Sequence, residues 1–160
     1  MTRFAANTSV PVAKSKAEIE TILERYGAEQ FMSGWNANHA VIGFTIRIDA
    51  EQIRQIKFNL PMPDKSEKRF THHSKGMRTA DAALKEWEQA CRQRWRALAL
   101  VIKAKLEAVE CGISTVEDEF LAQTVMPDGR TLSQHVKEPV AIAYRGGVGN
   151  LLPDYSGDAK

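Results

Sequence analysis

The side chains best equipped for chemistry in this chain are cations. Arg92, Arg94 and Arg96 crowd around Trp95 in the stretch EQACRQRWRALALVIKAKLEAVE. A guanidinium offers a rigid fork of donors that matches carboxylates and phosphates, so the cluster either rims a buried helix or faces an anion. Upstream, Arg54 and Lys57 stand in IRQIKFNLP, and Lys65, Lys68, Arg69, Lys75 and Arg78 in PMPDKSEKRFTHHSKGMRT. From Gln52 to Lys105 there are thirteen Lys or Arg against five Asp or Glu, a balance of +8. The remainder carries nine basic and fifteen acidic residues, −6, so a chain of net charge +2 has its charge segregated. That pattern can create a local field on a nearly neutral molecule.

The candidate phosphate-binding set is Lys57, Lys68, Arg69, His72, His73, Lys75, Arg78, Arg92 and Arg96. Phe70 is the candidate for stacking on a base, with Trp35 a second aromatic near an irregular segment. Trp87 and Trp95 are poorer candidates because they fall on an apolar helical stripe. The competing reading is a salt-bridged exterior. Glu88 stands four residues before Arg92, and the acidic run Glu117-Asp118-Glu119 could fold back on the arginines.

Other chemistries find no pattern. His72 and His73 are adjacent and so diverge, His39, His135, Cys91 and Cys111 are scattered, and no zinc-type spacing exists. No GxSxG, HExxH, GxxxxGK[ST] or GxGxxG is present, so neither a catalytic residue nor a cofactor is expected. Two cysteines twenty residues apart fit a reducing cytoplasm, and no apolar run reaches the roughly 18 residues of a membrane span.

These side chains must be positioned by an α+β fold. Ser15 and Glu18 form a capping box for a short amphipathic helix over about 16–26, closed by Gly27. FMSGW, HAVIGFTIRI and IRQIKFNLP alternate with period two and predict a three-stranded antiparallel meander, with Ile56, Phe58 and Leu60 facing the core and Lys57 facing solvent. Residues 61–79 show no period and are expected to be a long loop, functional or mobile. Thr79 caps a central helix over about 80–110, in which ALALVI leaves so little polar face that other elements should surround it. Ser114 to Glu117 starts an acidic helix, Asp128-Gly129 supplies a turn, and a last helical segment is interrupted by Pro139. Residues 1–145 form one domain on this reading, with 146–160 a loosely held tail.

The segments VPVAKSKAEIE, LPMPD at Leu60 to Asp64, Phe70-Thr71-His72, and WEQACRQRWRALALVIKAKLEAVECGISTVEDEFLAQTVMPDGRTL together resemble a family of small, largely uncharacterised proteins of tailed bacteriophages and prophages. The similarity spans about 7–132. It implies a bacterial cytoplasm and a role in phage DNA handling or in interference with host defence, and it carries no catalytic residue.

The resulting expectation is a non-enzymatic protein that binds single-stranded DNA, an accessory of phage replication or recombination. The alternative is a counter-defence protein that sequesters a host signalling nucleotide near His72, His73, Lys75 and Arg78, or masks a host protein. A homo-oligomer joined through ALALVI is a third reading.

Overall fold

The computed structural model describes residues 4–36 and 38–152. Helix α1 (Val12–Arg25) leads into strands β1 (Ala28–Trp35), β2 (His39–Arg47) and β3 (Ile53–Pro61), and the long helix α3 (Ala80–Glu110) follows a small insert. The sheet is antiparallel in the order β1-β2-β3, as the alternating pattern predicts. The overall class is the expected α+β.

Burial explains the arrangement. Ile42, Phe44 and Ile46 of β2 and Ile56 and Phe58 of β3 point to one face of the sheet. They meet Trp95, Leu98, Ala99, Ile102 and Leu106, the inward stripe of α3, with Ile19 and Leu23 of α1 closing the side. Phe120 caps this core with T-shaped contacts to Phe44 (5.7 Å) and Phe58 (6.2 Å), a geometry that adds about 0.5–1.5 kcal/mol per pair beyond burial. At 31 residues α3 is about 46 Å long and serves as the spine.

Several local expectations need correction. Helix α1 begins at Val12, after Pro11, and not at Ser15. Proline has no N–H to orphan and its fixed φ suits a helix entry. Ser15 therefore lies inside the helix, on the same buried face as Ile19 and Leu23, with its Oγ unpartnered. Its small side chain suits a helix packed closely along α3.

The ALALVI run is not surrounded. Leu98, Ala99 and Ile102 are buried, but Leu100 and Val101 each keep 45% of their surface exposed, because elements cover α3 on one side only. Leu84 is also exposed, since it sits in the first turns of α3, beyond the core.

Residues 61–79 are not a structureless loop. They contain a single-turn helix α2 (Lys68–Thr71) and a tiny hairpin of β4 (His72–His73) with β5 (Gly76–Met77). Gly76 takes φ 130°, which a side chain would resist. Phe70 plugs the insert onto the body, and Trp87 Nε1 donates to the Pro63 carbonyl at 2.7 Å.

After α3, Gly112 takes φ 70° and Thr115 Oγ1 caps α4 (Val116–Phe120), accepting from the Asp118 amide at 3.1 Å. A 3-10 turn (Leu121–Gln123) brings Val125 to the open edge of β3, where its N–H donates to the Gln55 carbonyl at 2.8 Å. Helix α5 (Leu132–Tyr144) carries Pro139 without ending there, a correction to the expected interruption. The missing proline N–H forfeits one internal bond. The backbone near Gly149 packs close enough that a Cβ there would lie 3.3 Å from the Pro139 Cα. Residues 153–160 of the expected tail lie outside the described residues.

Candidate functional site

The ten sequence candidates do not form one surface poised for an anion. Arg96 is clasped by Glu18 of α1. Arg92 turns along its own helix, with Nε and Nη2 donating to Gln89 Oε1 at 3.1 and 2.6 Å and Glu88 at 3.9 Å. Arg69 pairs with Glu67 at 2.7 Å. Arg78 sends Nη1 to three carbonyls, those of Arg69 (2.8 Å), Phe70 (3.2 Å) and His72 (2.6 Å), so it ties the insert together. Lys57 donates to the Gly129 carbonyl at 3.1 Å and links β3 to the turn before α5.

Phe70 is 4% exposed and offers no face to a base; its expected stacking role is overturned by its use as a packing plug. His72 Nδ1 lies 2.8 Å from Thr71 Oγ1, and His73 Nδ1 accepts the Lys75 amide at 2.9 Å. Among the described residues, Lys68 and Lys75 make no salt bridge, but they sit on the exposed insert beside no principal cavity. The acidic run after α3 does fold back, but onto other cations: Glu119 meets Lys105 at 3.3 Å and Glu117 approaches Arg54 at 3.7 Å.

A cleft of about 1270 Å³ opens elsewhere, where the first turn of α1, the β1–β2 turn, the chain after β3 and the first half of α3 converge. All three tryptophans of the chain line it. Trp95, 2% exposed, belongs to the core and lies at the base of the cleft. Trp87 is half-buried on its wall, fixed by its bond to Pro63. Trp35 ends β1 and remains 76% exposed, because the strand runs out beyond the core just where the chain turns.

Cations lie over these rings. Lys16 Nζ is 4.6 Å from the Trp35 ring centroid and 4.7 Å from that of Trp95, so one ammonium bridges the exposed and the buried indole. Lys65 Nζ is 4.3 Å from the Trp87 centroid. The attraction is to the ring quadrupole, about 0.5–2 kcal/mol each, and unlike a salt bridge it leaves the positive charge uncancelled. Neither lysine has a carboxylate partner among the described residues.

The cleft also holds Arg92, Asp64 and Glu88, for three basic groups against two acidic ones. Asp64 is held ionised: the Ser66 amide and hydroxyl both donate to it and push its carboxyl below the usual range. Asn7, Thr8, Asn38 and Gln89 add amide and hydroxyl groups. Cys91 lines the cleft, its thiol pushed up by burial and thus kept protonated and inert. Among the described residues no group of three or more His, Cys, Asp or Glu converges to hold a metal ion, and no helix is long and apolar enough to cross a membrane.

Of the ten sequence candidates, only Arg92 reaches this cleft. Sequence reasoning missed Lys16, placed Lys65 in the basic stretch but outside the candidate set, and set Trp87 and Trp95 aside as residues of the apolar stripe. Trp87 and Trp95 stand on one helix two turns apart, and an indole is so large that it is rarely buried on all sides. That was the available signal. Lys16 gave none, since it becomes part of a site only through packing. Compared with family models, curated proteins and solved structures, the chain matches none.

Proposed function

We propose that the protein binds single-stranded nucleic acid in the tryptophan-lined cleft, without catalysing a reaction, and that it serves phage replication or recombination, the setting implied by the sequence resemblance. The carrying observation is Trp35, three-quarters exposed at the mouth of the cleft with the Lys16 ammonium against its ring. A flat aromatic beside uncancelled positive charge is the combination that holds single strands: the ring stacks on a base and the cations meet the phosphates. Size supports a polymer over a lone nucleotide. At about 1270 Å³ the cleft exceeds the roughly 300–1,000 Å³ of small-molecule pockets.

The phosphate contacts on this reading are Lys16 and Lys65, with Arg92 beside them already turned to Gln89 and Glu88, and Trp35 replaces Phe70 as the stacking residue. The nucleotide-sequestering alternative transfers to the same cleft, since His72, His73, Lys75 and Arg78 line neither principal cavity.

The test is fluorescence titration with oligo(dT), which reads the tryptophans directly, at several salt concentrations. Binding is expected to quench emission and to weaken as salt rises, with log K falling by about 0.7 per log unit of salt for each phosphate neutralised. Quenching by a mononucleotide at the same concentration as by the oligomer selects the alternative. No response to either removes both.

A further inference from the structure

One wall of the cleft is the chain that precedes α1. Residues 4–11 have no regular secondary structure and lie against α3, contributing Asn7, Thr8 and Pro11 to the cleft. Two glutamine side chains fasten this segment. Gln89 Nε2 donates to the Ala6 and Thr8 carbonyls at 2.9 and 3.0 Å, and Gln93 Nε2 donates to the Phe4 carbonyl at 2.9 Å. Both stand on α3, four residues apart and so on one face. Phe4 is half-exposed and contributes nothing to the core. Ala5 is held at φ 52°, a left-handed conformation that strains a non-glycine residue.

The segment thus holds one residue in a strained conformation, forms one wall of the cleft, and is held by side chains whose bonds can be broken one at a time. Gln89 also connects the two parts: its Oε1 accepts from Arg92 while its Nε2 holds the segment. We propose that residues 4–11 are a strap that opens to admit a strand to the cleft and closes to retain it, with Gln89 and Gln93 as its fasteners. The inference rests on the nucleic-acid reading of the cleft. A polymer without an end to thread is best served by a site that can open sideways, and a wall made of irregular chain fastened to α3 through side-chain amides supplies that opening.

Gln93 is the place to test it, because its side chain reaches the strap without lining the cleft. Gln93→Glu puts an acceptor where a donor faced a carbonyl and so lifts the strap, whereas Gln93→Lys keeps a donor. The measurements are hydrogen exchange of residues 4–10 and stopped-flow release of oligo(dT), read by tryptophan emission. Gln93→Glu is expected to speed exchange in the strap and to raise the dissociation rate roughly fivefold, the scale of one lost hydrogen bond. Gln93→Lys is expected to stay near the unaltered protein in both. Exchange that does not change in Gln93→Glu overturns the fastening. Faster exchange with unaltered release overturns the gate while leaving the cleft reading intact. Failure of the unaltered protein to bind any strand overturns the cleft reading and the gate with it.

Discussion

The basic stretch from β3 through α3 and the tryptophan cleft both hold cations, but they use them differently. In the stretch, Arg54, Arg69, Arg92, Arg96 and Lys105 lie near carboxylates and Arg78 and Lys57 are spent on carbonyls, while Lys68 and Lys75 stay unbridged on the insert and Lys65 of the same stretch reaches the cleft. In the cleft, Lys16 and Lys65 rest on indole rings. A carboxylate partner cancels a charge, whereas a ring positions a charge and leaves it whole. A tally of +8 along the chain therefore says little about the field at the surface. The partner chosen by each cation decides it.

Substitutions in the two regions would break or sharpen this contrast. The largest effect belongs to Trp95→Ala, which removes both the base of the cleft and the centre of the core; it is expected to cost about 3–5 kcal/mol in urea unfolding. A cost under about 1 kcal/mol would mean that cleft and core are separate structures. Trp35→Ala should do the reverse. Its ring is mostly in water, so unfolding should shift by less than about 0.5 kcal/mol while oligo(dT) affinity drops roughly ten- to a hundredfold, the range for one stacked base.

The charges come next. Lys16→Met is expected to flatten the salt dependence of binding by about 0.7 in slope, because it removes one uncancelled cation from the cleft. Arg96→Met, which removes a cation already neutralised by Glu18, should leave the slope alone. A Lys68→Ala/Lys75→Ala double variant that weakened binding more than Lys16→Met would move the ligand from the cleft to the insert and reverse the comparison.

The smallest effect is a pH dependence away from the cleft. Asp128 is held below the usual carboxylate range, first by the Arg130 amide and then by His135, which reaches it at 2.9 Å. A carboxyl depressed in the folded state adds stability above its unfolded pKa of about 3.9, and that contribution is lost as pH falls through the lower folded value. Thermal unfolding of Asp128→Asn should therefore converge with that of the unaltered protein in strong acid and lie slightly below it at neutral pH.

Much of the fold was legible because its signals are local. The period-two runs gave the meander, and Gly27, at φ 82°, marks the exit of α1 as read from sequence. Thr79 caps α3 as expected, its Oγ1 accepting from Ala82 at 3.3 Å. The errors arose where a distant partner outweighed a local preference. Ser15 looked like a cap, but Pro11 had already opened the helix and packing against α3 claimed the serine side chain. Phe70 looked like a stacking platform within a polar loop, and the body of the protein buried it.

The candidate site was nearly illegible for the same reason. Lys16, Trp35, Lys65 and Trp95 come from α1, the end of β1, the chain after β3 and the middle of α3, and nothing in their spacing links them. Sequence alone determined the principal helices and strands, their order and the segregation of charge, because hydrophobic period, caps and turns act over a few residues. Only the tertiary structure decided which cations were cancelled, which aromatics kept an open face, and where the cleft lies. Those outcomes depend on side chains meeting across tens of residues, where distance in space and not along the chain sets the energy.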